Sequence, residues 1–135
     1  MWPDVETKKT PFTGKFPTYL DSRGSLGVAE FSSIPFVPLR FFWIFGVSLN
    51  ETRANHAHRN CEQLIFVQQG SSDALVVDQS RSESRWNLNA GEWLYLPPRH
   101  WLQLLNFETG TILGVFASLP YDRDEYIDNI EDLSS

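Results

Sequence analysis

The chain has a single cysteine, Cys61, so no disulfide can form within it. It is poor in positive charge: 11 lysines and arginines stand against 17 acidic residues, for a formal net charge of −6. Nucleic acid and anionic membranes carry the same sign and would repel such a chain at long range, which leaves neither as an expected partner. A local arginine cluster can still bind phosphate. No apolar run approaches the roughly 20 residues of a membrane-spanning helix. The opening MWPDVETKKT has no apolar signal core. A reducing cytoplasm is therefore the expected location.

Helical periodicity is almost absent as well, and what replaces it is a series of short strands. The 135 residues suit one domain, 1–135, with one core. Pro3, Pro11, Gly14 and Pro17 punctuate residues 1–17 among charges, which predicts an irregular arm seeking a partner surface. Asp, Ser and Gly over 21–24 predict a turn before a short strand that ends near Glu30. Pro35 and Pro38 make 34–39 a connector or an edge. FFWIFGVSL, 41–49, is aromatic and branched enough to be a buried strand. Further strands are expected over 62–69, 74–79, 85–88, 93–96, 102–107 and 111–118, separated by turn residues. Such spacing predicts an antiparallel sandwich or barrel. The only helix candidate is the acidic tail, 122–133.

The densest chemistry lies in RANHAHRNCEQLIFVQQG, residues 53–70, which holds two of the three histidines. His56 and His58 are two apart, and alternation along a strand turns both imidazoles to one side. An isolated pair of this kind also occurs on solvated surfaces; the strand-forming run that follows argues for a shared cavity. Imidazole accepts or donates a proton near neutral pH, so the pair suits acid and base work. With Glu62 it would alternatively make a facial set of two histidines and one carboxylate for iron(II).

His56, His58, Glu62 and Gly70 follow the order of the first cupin motif, with one extra residue before Gly70 and Asn50 in place of the first glycine. Gly91, Pro97 and Asn106 match the second motif, in which Arg99 replaces a glycine and Leu102 the metal-binding histidine. The chain thus resembles the cupins. The resemblance implies an all-β, double-sheet β-barrel of the jelly-roll kind, here with a short C-terminal helix. Leu102 cannot coordinate a metal, and His100, two residues upstream, need not face the same cavity.

Five separated stretches narrow the resemblance: RGSLGVAE at 23–30, IPFVPLR at 34–40, RANHAHRNCEQ at 53–63, PPRHW at 97–101 and YDRDEYI at 121–127. They are similar, in order, to motifs of the sugar 3,4-ketoisomerases, cupins acting on dTDP-4-keto-6-deoxyhexoses. The resemblance implies isomerisation without metal or other cofactor, the ketone moving from C4 to C3. His56 and His58 would be the acid and base pair, with Glu62 or Gln63 setting their tautomers. For the diphosphate it points to Arg23 first and then to Arg53, Arg40 and Arg99. Gln63 and Trp101 complete the expected substrate contacts, whereas Tyr121 and Tyr126 are expected in packing or a dimer interface. A homodimer built by pairing or exchange of N-terminal strands is implied too.

Three departures matter. Phe42 and Trp43 stand where the family carries tyrosines, Leu102 where it has histidine, and Ala54 where it has glycine. A non-catalytic nucleotide-sugar-binding cupin and an iron or manganese oxygenase using His56, His58 and Glu62 therefore remain open on sequence.

Overall fold

The computed structural model describes residues 8–135. In chain order its strands are β1 (Phe12–Lys15), β2 (Thr18–Asp21), β3 (Gly24–Gly27), β4 (Arg40–Ile44), β5 (Arg53–His58), β6 (Gln63–Gln69), β7 (Ser71–Val77), β8 (Glu83–Asn89), β9 (Glu92–Leu96), β10 (Trp101–Leu105), β11 (Ile112–Ala117) and β12 (Tyr126–Ile127). They form two five-stranded sheets, ordered β1-β9-β6-β11-β4 and β12-β5-β10-β7-β8, and β2 pairs with β3 alone. Neighbouring strands run antiparallel throughout. This is the expected all-β double-sheet barrel.

The two-residue period of a strand explains the layers. Along β6, Ile65 and Val67 point between the sheets and pack with Leu94, Leu113 and Val115 of their own sheet and Val76, Leu102 and Leu104 of the other. Leu64 and Phe66 point to the opposite side, where Phe16, Ile34, Phe36 and Tyr95 cover them. A strand apolar on both faces must be covered on both, and the segment between β1 and β4 supplies the second cover. The β6–β7 turn needs Gly70: its φ is +83°, and a Cβ there would come within 2.9 Å of the Thr111 Cα.

Three expectations are corrected. The arm over 1–17 is not wholly irregular: residues 1–7 lie outside the described residues, but 12–15 form β1, paired with β9 in the register Phe12↔Tyr95. Pro11 and Pro17 flank this strand and do not interrupt it, and Phe12 packs edge-on against Trp93 with ring centroids 5.6 Å apart. The tail helix is replaced by two 3-10 turns, Arg123–Glu125 and Ile130–Asp132, because Tyr126 and Ile127 between them are drawn into sheet pairing with β5. Finally, β4 is an edge strand and only half buried, with Phe42 and Ile44 packed on the core and Phe41 and Trp43 exposed.

One irregularity aims the chain at its site. Pairing of β10 with β5 runs Leu102↔His56 and then Gln103↔Ala54, so Asn55 is an extra residue in β5. Ala54 and Asn55 accommodate the bulge with φ of 71° and 64°. Left-handed backbone costs an L-residue about 1 kcal/mol, a cost glycine avoids. Ala54→Gly is therefore expected to raise the free energy of unfolding by about 0.5–1 kcal/mol, less a small loss of methyl packing. Urea titration of the two proteins side by side checks this.

Candidate active site

Between the sheets, at the end where β4, β5 and β10 meet, lies a cavity of about 400 Å³. Leu102, Leu104, Ile65 and Val115 form its apolar floor, and Arg40, Arg53, His56, Gln63 and Tyr126 bring polar groups to its walls. The bulge in β5 delivers His56, and strand alternation puts His58 on the same side. Their rings are 5.1 Å apart and nearly perpendicular, at 86°. Tyr126 sits opposite His58 in the β12–β5 register, and its ring centroid lies 4.6 Å from each imidazole.

Among the described residues three buried polar atoms in this region have no hydrogen-bond partner: His56 Nδ1, His58 Nε2 and Arg40 Nε. Buried polar atoms in folded proteins are nearly always paired, so three unpaired ones around a single cavity indicate a place for a polar ligand. Burial also sets the protonation state. Desolvation, reinforced by the neighbouring His56, pushes His58 down to about 4, against an opposing pull from Glu125. Burial lowers His56 too, with Asp128 opposing. Both imidazoles are consequently neutral at pH 7 and able to accept a proton.

The wall toward solvent is cationic. The Arg40 guanidinium lies 4.8 Å from the Phe42 ring centroid and 5.7 Å from that of Tyr121, a cation–π seat that leaves its donors open. Arg53, at the start of β5, lines the same cavity. Gln63 is buried against it.

Other expected residues are placed elsewhere. Arg23 lies in the β2–β3 hairpin, 88% exposed and bonded to Asp21 at 2.6 Å. Arg99 donates to the carbonyls of Leu133 and Ser135 at 3.1 and 2.6 Å. Trp101 donates to the Asp128 carbonyl at 3.1 Å and packs on Ala57, Ile127 and Leu133. Within one chain the cavity lining thus gathers His56, Arg40, Arg53 and Gln63, with His58 buried behind it against the His56 ring, and not Arg23, Arg99 or Trp101.

Glu62 corrects an expectation. Its carboxylate accepts the Tyr95 hydroxyl at 2.6 Å, on the side of β6 away from the histidines. Burial, with this carboxylate beside it, pushes the Tyr95 hydroxyl well above the usual phenol range. Glu62 therefore neither orients the imidazoles nor completes a facial set. Among the described residues no group of three His, Cys, Asp or Glu side chains is placed to hold a metal. His100 does not substitute, because it is not among the residues that line the cavity.

Within YDRDEYI, Glu125 is not singled out by the sequence, and Tyr126, expected in packing or a dimer interface, lines the cavity. Glu125 is buried and accepts the backbone N–H groups of Asn60 and Cys61, each at 2.8 Å. Its neighbour Tyr126 stands in the cavity wall. The motif itself was the available signal, but the pairing of so short a strand with β5 was not readable from it.

The family model FdtA: WxcM-like, C-terminal matches residues 10–135. A TDP-4-oxo-6-deoxy-α-D-glucose-3,4-oxoisomerase of Aneurinibacillus thermoaerophilus is 32% identical over 113 residues, 83% of this chain and 81% of that protein. The TDP-quinovose 3,4-ketoisomerase WlaRB of Campylobacter jejuni superimposes with a TM-score of 0.84 at 32% identity, covering 93% of this chain and 98% of its own. A mutant of the 3,4-ketoisomerase QdtA of Thermoanaerobacterium thermosaccharolyticum, solved with TDP-4-keto-6-deoxyglucose, gives a TM-score of 0.85 at 29% identity, covering 91% and 90%. By the extent of the match and by the fold it shares with these ketoisomerases, the chain belongs to the WxcM-like, C-terminal (FdtA) family.

Proposed function

We propose that this protein is a sugar-nucleotide 3,4-ketoisomerase that converts dTDP-4-keto-6-deoxyglucose into a dTDP-3-keto-6-deoxyhexose. The observation that carries the reading is a pair of neutral imidazoles, His56 in the wall of a cavity of sugar size and His58 packed behind it, whose buried Nδ1 and Nε2 atoms have no partner among the described residues. The C4 carbonyl acidifies the proton on C3. One imidazole removes it, the enediol forms, and the resulting imidazolium side returns a proton to C4, so that the ketone ends at C3. His56 and His58 are the acid and base pair. No metal or other cofactor enters the scheme, since the electrons only move between two adjacent carbons. Arg40 and Arg53 hold the diphosphate through forked donors, and Gln63 bonds the sugar. Arg99 and Trp101 serve the fold.

The active form in this reading is a cytoplasmic homodimer. Among the described residues the β2–β3 hairpin has no further sheet partner and exposes Tyr19, Leu20 and Leu26, while the β4 edge exposes Phe41 and Trp43. An apolar hairpin and an apolar open edge of this kind are covered economically by a second copy. The arrangement would carry Arg23 away from its own cavity and toward the other chain. Among the described residues no helix is long and apolar enough to cross a membrane.

Proton NMR with dTDP-4-keto-6-deoxyglucose in heavy water tests the reaction. Loss of the C3 hydrogen signal with growth of a 3-keto sugar is expected. Unchanged substrate with broadened lines would identify a binding protein without chemistry. His56→Asn and His58→Asn are each expected to lower kcat by roughly 100-fold or more with the fold retained. Normal turnover in both would remove the pair from the mechanism.

The depressed histidines also couple stability to acid. His58 is neutral when folded down to about 4. The unfolded chain, by contrast, takes up that proton below about 6.5. Stability is therefore full above about pH 6.5 and falls toward pH 4, by on the order of 3 kcal/mol from this side chain. His58→Asn should flatten that part of the pH-stability curve, measured by urea unfolding at several pH values. Sedimentation equilibrium at micromolar protein should return twice the monomer mass, and a monomer would sink the dimer.

A further inference from the structure

Resting on that reading, we infer that Tyr126 is a catalytic residue of the isomerisation, carrying the proton between the two sugar oxygens. An imidazole that takes the C3 proton solves only half of the problem. As the C3–H bond breaks, its electron pair forms the C3=C4 double bond and the C4 carbonyl oxygen needs a proton. As C4 is then protonated, the C3 hydroxyl must lose one so that its electrons form the new carbonyl. A single hydroxyl that gives its proton to O4 and takes the one from O3 closes the cycle with no net gain or loss.

Among the described residues Tyr126 is the only cavity-lining side chain with a hydroxyl. Phe42, on the β4 wall, contributes a ring without one. Tyr126 is not loosely placed: its ring lies 4.6 Å from both histidines, edge-on to His56 at 74°. Backbone pairing to His58 fixes its height, and the adjacent Glu125 bolts the segment to the β5–β6 turn through Asn60 and Cys61. Its hydroxyl makes no hydrogen bond to the described protein, so nothing competes with a substrate oxygen for it. The ring packed against both imidazoles thus carries the one hydroxyl that the cavity wall offers to a sugar oxygen among the described residues.

Tyr126→Phe keeps the ring and removes the hydroxyl. The expected result is a fall in kcat of about 100-fold with KM for dTDP-4-keto-6-deoxyglucose within about threefold and calorimetric binding of TDP unchanged. Wild-type kcat in Tyr126→Phe would overturn the inference while leaving the isomerase reading intact. A variant that loses TDP binding together with kcat would also overturn it, by assigning the hydroxyl to the fold. If the unaltered protein forms no 3-keto sugar, the underlying reading fails first, and that failure is seen before any variant is made.

Discussion

The site depends on one buried carboxylate. Glu125 accepts the N–H groups of Asn60 and Cys61 and the side-chain amide of Asn60, while its own backbone carbonyl accepts from Arg59 at 2.8 Å. Burial alone would push its carboxyl up; the donors from Asn60 and Cys61, with His58 nearby, more than offset that and hold it below the usual range. A turn between two strands leaves backbone donors without partners, and a charged acceptor satisfies them at once. The consequence reaches the cavity. With the β5–β6 turn clamped to the C-terminal segment, β12 is registered against β5 and Tyr126 is set beside the two imidazoles.

The same segment explains why the histidines stay neutral. β12, Trp101 and Leu133 cover the outer side of β5 around Ala57, and the floor residues close the inner side. Water is excluded from both directions, so the charged form of His58 is the one penalised. An open barrel mouth with the same two histidines would leave them half protonated near neutrality and poorer as bases.

Much of this was legible in the residues. Strand alternation alone predicted that His56 and His58 share a face, and the spacing of turn residues predicted an antiparallel double sheet. The departures from motif glycines were informative in a way that only the backbone reveals. Asn50, Ala54 and Arg99 stand where the cupin or ketoisomerase motifs carry glycine, and their φ angles are 72°, 71° and 59°. At Ala54 the left-handed backbone is held by the pairing of β5 with β10 on either side of the bulge, whereas Asn50 and Arg99 take it in turns between strands, where asparagine suits it by local preference. What sequence could not supply was side-chain direction after a turn. Glu62 follows the histidines closely in the chain yet faces Tyr95, and Arg99 and Trp101 are spent on carbonyls of the tail. Each belongs to a matching motif, but a motif places a residue on an element without saying which wall it serves.

Charge then decides how an acidic protein takes an anionic substrate. At a net charge of −6 the chain repels a diphosphate at a distance, so recognition must be local. An arginine engaged with a carboxylate would be half neutralised, as Arg23 is by Asp21. Arg40 makes no ion pair among the described residues and is held instead between the rings of Phe42 and Tyr121. Aromatic faces fix the guanidinium without cancelling its charge or occupying its donors. The Phe42 ring, which packs on the core, therefore has a second use. It seats the cation at the cavity wall, while the apolar floor of Leu102, Leu104, Ile65 and Val115 lies between the sheets.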